Sequence, residues 1–271
     1  MITFAPMYSD RNKFRKEQSK LSAKSEQNSI YGIRAVSEAI LAGKELNKVI
    51  IQRGVSNPLM QGLVTLLNKH KIPFQYIPQQ SGIFNTNKNH QGVIAHISPV
   101  TYFRLDDVIP QLYEEGKVPF ILVLDRITDV RNFGAIARSA YCAGVNTLVI
   151  PDIGGALVTD DAIKTSAGAL NHISVCREKN MKSTMELLNQ SGITTIACTE
   201  KGEQPIFALD LKIPIAIVLG NEETGISADA IKKCSYLAKI PMEFGVQSLN
   251  VSVAAGIACY EVTRQRMLDL K

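Results

Sequence analysis

The stretch PFILVLDRITDVRNFGAIARSA, residues 119–140, joins the three patterns that decide the fold. It begins with a continuous apolar run that ends at Asp125, passes through a polar turn with Asp129 and Asn132, and becomes Ala-rich after Gly134. A continuous apolar run, unlike an alternating one, is typical of a strand whose two faces are both covered. The stretch therefore predicts a buried strand, a polar loop and a helix that opens at Gly134.

The same order of buried strand, polar turn and helix repeats further along the chain. The β-branched runs TLVIP, ISVC, TTIACT and PIAIVLG are separated by segments with helical spacing. Strands that alternate with helices predict a parallel sheet with helices on both faces. Ligands of such sheets bind beyond the carboxyl ends of the strands, so the loops that follow the strands are where chemistry is expected.

A smaller α/β unit precedes this domain. NSIYGIRAVSEAILAG predicts a helix that Asn28 or Ser29 caps, and KVIIQ, NPLMQGLVTLLNKHK, PFQYIP and HQGVIAHIS predict strand, helix, strand and strand. Together they predict a small α/β sandwich over residues 29–98, too short for a nucleotide-binding domain of six strands. We assign residues 99–117, with a helix beginning near Leu105, to a linker, and residues 118–271 to the larger domain.

Charge and cysteine usage limit the possible classes of protein. The chain has 271 residues and a net charge of +5, and residues 11–24 hold six basic side chains against one acid. We expect a flexible basic arm over residues 1–28, which either contacts phosphate or is a solvated tail without a specific target. No apolar run is long enough for a membrane span and no signal core is present, so we expect a cytoplasmic protein without a membrane. The five scattered cysteines form no CxxC pair, which argues against disulfides and a zinc site.

Two loops at predicted strand ends carry candidate functional residues. The first holds Asn132 and, within the following helix, Arg138, which must either reach solvent or meet an anion. The second, in PIAIVLGNEETGIS, holds Gly220, whose lack of a side chain allows a ligand to approach the backbone, and Glu222. The two acids of NEET would repel a pyrophosphate and suit a ligand that is cationic or rich in hydroxyl donors.

The third loop lies in IPMEFGVQSLNVSVAAGIACYEVTRQR, residues 240–266. Ser248 and Asn250 lie where strand-like alternation gives way to helical spacing, and each is an ordinary helix N-cap residue. After them, small apolar residues recur on one helical face, which allows close contact with another helix. These residues are Val251, Ala254, Ala255, Ala258 and Val262.

The three loops together resemble a known family. NFGAIARSA, VLGNEETGIS and IPM followed by SLNVSVAAGI are similar, in order and spacing, to the three motifs of the SpoU/TrmH class of SPOUT RNA methyltransferases. YGIRAVSEAI, KVIIQRG and HQGVIAHI are similar to the substrate-binding domain of the 23S ribosomal RNA guanosine 2′-O-methyltransferase branch.

The resemblance implies a fold, an activity and partners. It implies a small L30e-like α/β sandwich that binds RNA, followed by a parallel-sheet SPOUT domain with a carboxyl-terminal trefoil knot. The implied reaction transfers a methyl group from S-adenosyl-L-methionine to a ribose 2′-hydroxyl of structured RNA, specifically a guanosine of 23S ribosomal RNA. The implied assembly is a homodimer, with the small-faced helix as the dimer surface.

The resemblance also assigns roles to residues. The cofactor-binding residues would be Gly220, Ile240, Met242 and Leu249. Arg138 would hold the adjoining phosphate and help activate the 2′-hydroxyl, and the residues that position the nucleotide and the arginine would be Asn132, Glu222, Ser248 and Asn250. Because an arginine stays protonated, we expect it to stabilise the developing alkoxide instead of removing the proton, and no metal is required.

Other interpretations remain open. Phe244 stands where the third motif often has Gly, and GNEETG differs from the GAEGxG form common in the 23S guanosine branch. A transfer RNA methyltransferase of the same class is one alternative, and a non-catalytic RNA-binding or ribosome-assembly factor is another. A nicotinamide dehydrogenase is disfavoured because no strand is followed by GxGxxG.

Overall fold

The computed structural model describes residues 29–243 and 248–268. The basic arm predicted at residues 1–28 and the departure at Phe244 lie outside the described residues. The chain divides into two compact units, one ending at Ser98 and the other beginning at Pro99.

The first unit is a four-stranded sheet with two helices. Its elements are β1 Ser29–Tyr31, α1 Ile33–Leu41, β2 Leu46–Gln52, α2 Pro58–Lys69, β3 Phe74–Ile77 and β4 Val93–Ile97. The strand order is β1-β4-β2-β3, in which β4 runs antiparallel to both neighbours and β2 runs parallel to β3. Apolar residues of α1 and α2 form one core with the central strands, which confirms the predicted small α/β sandwich.

The start of this unit differs from the prediction. Ser29 does not cap a helix, because Ser29–Tyr31 form β1 and pair with β4. Helix α1 begins at Ile33, after Gly32 turns the chain with a φ of 93°. The backbone N–H of Ile33 donates to Gln91 Oε1 at 3.3 Å. The partners of this segment lie about sixty residues away in sequence, so a local pattern could not reveal them.

The second unit contains an eight-stranded sheet in which every pairing is parallel. Its strands are β5 Tyr102–Phe103, β6 Phe120–Asp125, β7 Thr147–Pro151, β8 Ser174–Glu178, β9 Thr194–Cys198, β10 Gln204–Pro205, β11 Ile215–Gly220 and β12 Tyr236–Lys239. The strand order is β10-β12-β9-β11-β6-β7-β8-β5. The predicted parallel sheet is confirmed, and the short edge strands β5 and β10 were not predicted.

Helices cover both faces of this sheet. They are α3 Leu105–Glu114, α4 Val130–Cys142, α5 Asp160–Thr165, α6 Met181–Gln190, α7 Ala228–Ile231 and α8 Val251–Leu268. Helices α4, α5 and α8 pack on one face, and α3, α6 and α7 pack on the other. All six residues of β6 are therefore buried, which explains the continuous apolar run that ends at Asp125.

Residues 99–117, which we assigned to a linker, carry β5 and α3 of the second unit. Strand β5 pairs with β8 at the sheet edge. Arg104 Nη2 lies 2.8 Å from Glu178 Oε2, and the N–H of Leu105 donates to Glu178 Oε1 at 3.0 Å. One carboxylate thus holds both the end of β5 and the first turn of α3.

The small face of α8 packs inside its own subunit. Ala255, Ala258 and Val262 are fully buried against α4, and Thr263 Oγ1 donates to the carbonyl of Ala143 at 3.0 Å. This face therefore belongs to the core of the subunit, and the expectation that the helix forms a dimer surface stays a prediction. The exposed apolar side chains of α8 are instead Val253, Ile257, Tyr260 and Met267. Because α8 is apolar on two sides, the sequence pattern could not show which side faces the core.

Within residues 29–243 and 248–268, no helix has the length and apolar character that crossing a membrane requires.

Candidate active site

The loops that follow β6 and β11 begin side by side at the carboxyl edge of the sheet. Asp125 and Gly220, the last residues of these strands, are paired in register. The chain after each strand therefore starts from neighbouring positions, although the two residues are 95 apart in sequence. This register brings the first and second predicted loops together.

The loop after β6 runs into α4 earlier than predicted. Asp129 is the N-cap, and its carboxylate accepts the N–H groups of Arg131 at 2.6 Å and Asn132 at 3.0 Å. Asn132 thus lies in the first turn of α4, and Gly134 does not open the helix. A Cβ on Gly134 would lie 2.7 Å from the Cβ of Thr165, so this glycine instead allows α5 to pack closely against α4.

The loop after β11 folds back over the end of its own strand. A Cβ on Gly220 would lie 2.2 Å from the carbonyl carbon of Gly225, which leaves no room for any other residue. The side chain of Asn221 closes the loop, because its Oδ1 accepts the N–H of Glu223 at 2.8 Å and that of Thr224 at 3.3 Å. The loop therefore holds Glu222 at a fixed place above the sheet edge.

Asn132, Glu222 and Asn250 form one hydrogen-bonded group, which we call the polar hub. Glu222 Oε1 accepts from Asn132 Nδ2 at 3.1 Å, from Asn250 Nδ2 at 2.7 Å and from the N–H of Val251 at 3.3 Å. Asn250 Nδ2 also lies 3.1 Å from Asn132 Oδ1. Bonds to an ionised carboxylate are stronger than neutral ones, so the carboxylate of Glu222 fixes both amides although the group is open to solvent.

Asn250 is both a helix cap and a member of the polar hub. Its backbone carbonyl accepts the N–H groups of Val253 and Ala254 at 3.0 Å, and its Oδ1 accepts the N–H of Ser252 at 3.0 Å. Its Nδ2 is thus free to donate to Glu222 and Asn132 of the hub. Ser248, which we grouped with these residues, is exposed and lines the neighbouring cavity without a hydrogen bond to the hub among the described residues.

A cavity of about 380 Å³ lies beside the polar hub. All four residues predicted to bind a cofactor line it: Gly220, Ile240, Met242 and Leu249. Glu222 belongs to both the cavity wall and the hub. Leu219, Ile226 and Val251 add apolar surface. The volume is at the lower end of the range for small-molecule sites, and apolar walls with a few polar groups are typical of them.

One further wall of this cavity was not among the predicted site residues. Cys198 and the loop residues Thr199, Glu200 and Lys201 line it. Cys198 ends β9 and the other three follow it; β9 pairs with β11, so their position at the carboxyl edge was the available signal. Burial raises the pKa of the Cys198 thiol to about 11, and the group is therefore a neutral thiol at physiological pH.

Arg138 is not part of the polar hub. It follows Asn132 by six residues in α4, a separation of about 9 Å along the helix and about 120° around it. Its side chain is exposed and, in the part of the chain that the structure describes, has no hydrogen bond or ion pair. The structure therefore brings Asn132, Glu222 and Asn250 together and leaves Arg138 available to a ligand.

Among the residues described, no three His, Cys, Asp or Glu side chains are grouped so that they could hold a metal ion.

Comparisons with known proteins agree on one family. The SpoU rRNA Methylase family matches residues 119–260, and the RNA 2′-O ribose methyltransferase substrate-binding family matches residues 29–103. A putative TrmH family tRNA/rRNA methyltransferase of Staphylococcus saprophyticus is 35% identical over 237 residues, which cover 88% of this chain and 95% of that protein.

Two solved structures share the fold. The SpoU methyltransferase AviRb from Streptomyces viridochromogenes, in complex with AdoMet, has a TM-score of 0.57 at 22% identity and covers 90% of this chain and 93% of its own. An AdoMet-bound rRNA methyltransferase from Sinorhizobium meliloti has a TM-score of 0.56 at 20% identity, and the match covers 96% of this chain and 97% of that one. With a family match over most of the second unit and a relative that spans nearly the whole chain, the protein belongs to the SpoU/TrmH family of RNA methyltransferases.

Proposed function

We propose that the protein transfers a methyl group from S-adenosyl-L-methionine to a ribose 2′-hydroxyl of RNA. The observation that carries the proposal is the cavity bounded by Gly220, Ile240, Met242 and Leu249, with Glu222 of the polar hub in its wall. Two structures of similar fold contain AdoMet. The family that matches residues 29–103 is described as binding the substrate of RNA 2′-O ribose methyltransferases.

The cavity suits the chemical parts of this cofactor. Gly220 lines the cavity together with Ile240 and Leu249, which supply apolar surface on which a planar base can pack. Glu222 and Glu223 line the same cavity, and their negative charge favours a sulfonium over a phosphate. When bound, the cofactor supplies an already activated methyl group, so the protein must mainly orient the accepting oxygen.

The polar hub and Arg138 suit the RNA side of the reaction. The fixed amides of Asn132 and Asn250 can bind ribose hydroxyls, and the guanidinium of Arg138, which has no partner among the described residues, can hold an adjoining phosphate. An arginine remains protonated and cannot serve as a base. We therefore assign to Arg138 the stabilisation of the developing alkoxide, with an RNA phosphate as a suitable proton acceptor.

The distribution of charge supports RNA binding by the first unit. Residues 29–98 contain seven basic residues (Lys and Arg) and only two acidic ones (Asp and Glu). Residues 99–271 contain seventeen basic and twenty acidic residues. Residues 29–98 thus have a net charge of +5, and residues 99–271 have one of −3. Because contacts to phosphate dominate the affinity of RNA-binding surfaces, we assign the main RNA contact to the first unit.

We propose that the protein is a homodimer. The exposed apolar side chains Val253, Ile257 and Tyr260 lie along one side of α8, and Ile257 and Tyr260 also line a second cavity of about 340 Å³ with Phe207. A contiguous apolar surface of this kind is typical of an interaction site. The trefoil knot implied by the resemblance stays a prediction.

Within this activity, we propose a guanosine of 23S ribosomal RNA as the target, which places the protein in the cytoplasm. The match of residues 119–260 to the SpoU rRNA Methylase family supports ribosomal RNA as the target. The test is a map of 2′-O-methylation in total RNA from cells with and without the gene. We expect the loss of one methyl group from a guanosine of 23S ribosomal RNA. Loss of a methyl group from a transfer RNA would instead identify the protein as a transfer RNA methyltransferase of the same class.

A further inference from the structure

Arg126 has an unusual backbone conformation at the junction of β6 and the first loop. Its φ is 60°, in the left-handed region that residues with a side chain rarely adopt. Such a conformation persists only where surrounding contacts fix it. Two hydrogen bonds of Arg126 lead to the loop after β11.

The dipeptide Asp125–Arg126 contacts both ends of the loop that carries Glu222. At the near end, Asn221 Nδ2 donates to the backbone carbonyl of Arg126 at 3.1 Å. At the far end, Arg126 Nη2 donates to the carbonyl of Gly225 at 3.2 Å, and the N–H of Ser227 donates to Asp125 Oδ2 at 2.6 Å. Arg126 Nε lies 3.4 Å from Asp125 Oδ1, so the arginine also balances a carboxylate that is almost fully buried.

These contacts join the base of the loop to the groups that the reaction uses. Asn221, held by the Arg126 carbonyl, accepts the N–H groups of Glu223 and Thr224 and so shapes the loop. Glu222, between the two tied ends, binds Asn132 and Asn250 and lines the cavity. Because Arg126 has the left-handed conformation, its carbonyl faces Asn221 at one end of the loop and its guanidinium faces Gly225 at the other.

We propose that Arg126 is a positioning residue that sets the place of Glu222, and through it aligns the cofactor cavity with the polar hub. The inference rests on the proposed function. Arg126 itself touches neither reactant in this assignment, and its effect is transmitted through residues 221–225. The role differs from that of Arg138, whose guanidinium has no contact with this loop.

The test compares Arg126→Gly and Arg126→Lys with the control Arg131→Ala, which removes an exposed arginine from the first turn of α4. Glycine adopts the left-handed conformation without strain, so Arg126→Gly is expected to fold. Amide hydrogen exchange of the ligand-free protein should show reduced protection at Glu223, Thr224 and Gly225 in Arg126→Gly. Arg126→Lys, which keeps the charge beside Asp125, should show an intermediate loss, and Arg131→Ala none.

Function is measured on the same three variants. Without RNA present, the dissociation constant for S-adenosyl-L-methionine should rise about tenfold in Arg126→Gly, as expected when one charge-assisted hydrogen bond is lost. The kcat should fall while the KM for RNA stays within about twofold of that of Arg131→Ala. A purely structural role would not split kcat from KM in this way.

Two results would overturn the inference. Unchanged exchange at residues 223–225 in Arg126→Gly would show that the side chain of Arg126 does not hold the loop. Weaker RNA binding with unchanged cofactor binding would identify Arg126 as an RNA contact instead. Failure of the unmodified protein to bind S-adenosyl-L-methionine would refute the proposed function, and the exchange experiment would still decide whether the loop is held by Arg126.

Discussion

At the scale of the residue, Glu222 is the point at which the cavity and the polar hub meet. One of its oxygens accepts three hydrogen bonds, and the same residue lines the cavity. Asn132 and Asn250 therefore have fixed orientations before any ligand arrives. Pre-organised groups of this kind lower a barrier without reorganising during the reaction.

The isolation of Arg138 gives the first prediction. Arg138→Ala removes a guanidinium that has no partner in the described part of the chain, so neither the hub nor the cavity should change. We expect methyl transfer to be lost, by a factor of about 100 or more, while the affinity for S-adenosyl-L-methionine stays nearly unchanged. A tritium-transfer assay beside a calorimetric titration measures both.

The control for this prediction is Arg131→Ala, which removes the same charge from the first turn of α4. Activity close to that of the unmodified protein is expected for it. If Arg138→Ala retained most of the activity, the role assigned to Arg138 would be wrong.

The pKa of Cys198 gives a second prediction. Burial raises this pKa from 9.0 to about 11, so the thiol stays protonated until the pH approaches 11. At pH 8 the thiolate fraction of Cys198 is about a hundredfold smaller than that of a thiol with the ordinary pKa of 9.0. Only the thiolate is nucleophilic. Cys198 should therefore react slowly with iodoacetamide.

Peptide mass spectrometry after timed alkylation at pH 8 measures this difference. The exposed Cys142 serves as the internal reference and should be modified first. Modification of Cys198 at the same rate as Cys142 would contradict the prediction.

At the scale of the element, α8 packs its small side chains against α4 and the sheet. Ala255 and Ala258 have no exposed surface, so larger side chains have no space there. We expect Ala255→Leu to lower the free energy of unfolding by about 1–3 kcal/mol through overpacking. Val253→Leu, on the exposed side of the same helix, should change it by less than about 0.5 kcal/mol.

Chemical denaturation followed by circular dichroism measures both variants. Equal stability of Ala255→Leu and the unmodified protein would mean that the buried face of α8 is not packed as described.

The long elements were predictable because both their length and their periodicity are encoded locally. The continuous runs that became β6, β7, β9 and β11 show that both faces of these strands are buried. Short edge strands lack such a signal, and β1, β5 and β10 have two or three residues each. They form because a distant strand is available, which no local pattern reports.

The candidate site was predictable in its members and not in its geometry. Gly220, Ile240, Met242 and Leu249 were assigned together, and they line one cavity. The separation of Arg138 from Asn132 follows from where α4 begins, and the Asp129 cap that fixes this start was not recognised. The segment from Cys198 to Lys201 was missed, although it stands at the carboxyl edge of the sheet, because it belongs to none of the three motifs that carry the resemblance.

At the scale of the whole molecule, the exposed side of α8 gives a further prediction. Val253, Ile257 and Tyr260 would remain in water in a monomer, and a second copy of the chain is the partner we propose. Ile257→Asp places a charge in the centre of that surface, where burial without a partner is costly. Sedimentation velocity should show a dimer for the unmodified protein and a monomer for Ile257→Asp.

The matched control is Leu41→Asp, which alters an exposed apolar residue of the first unit and should leave the dimer intact. A monomeric unmodified protein, or a dimer that persists in Ile257→Asp, would contradict this assembly.

The central claim is that the cavity and the polar hub together direct a methyl group to a ribose oxygen of RNA. The most direct test incubates the protein with methyl-tritiated S-adenosyl-L-methionine and RNA from cells that lack the gene, followed by digestion to nucleosides. We predict that the radioactivity appears in one 2′-O-methylnucleoside and is lost in Glu222→Ala. Radioactivity in a base-methylated nucleoside, or none in RNA, would contradict the account.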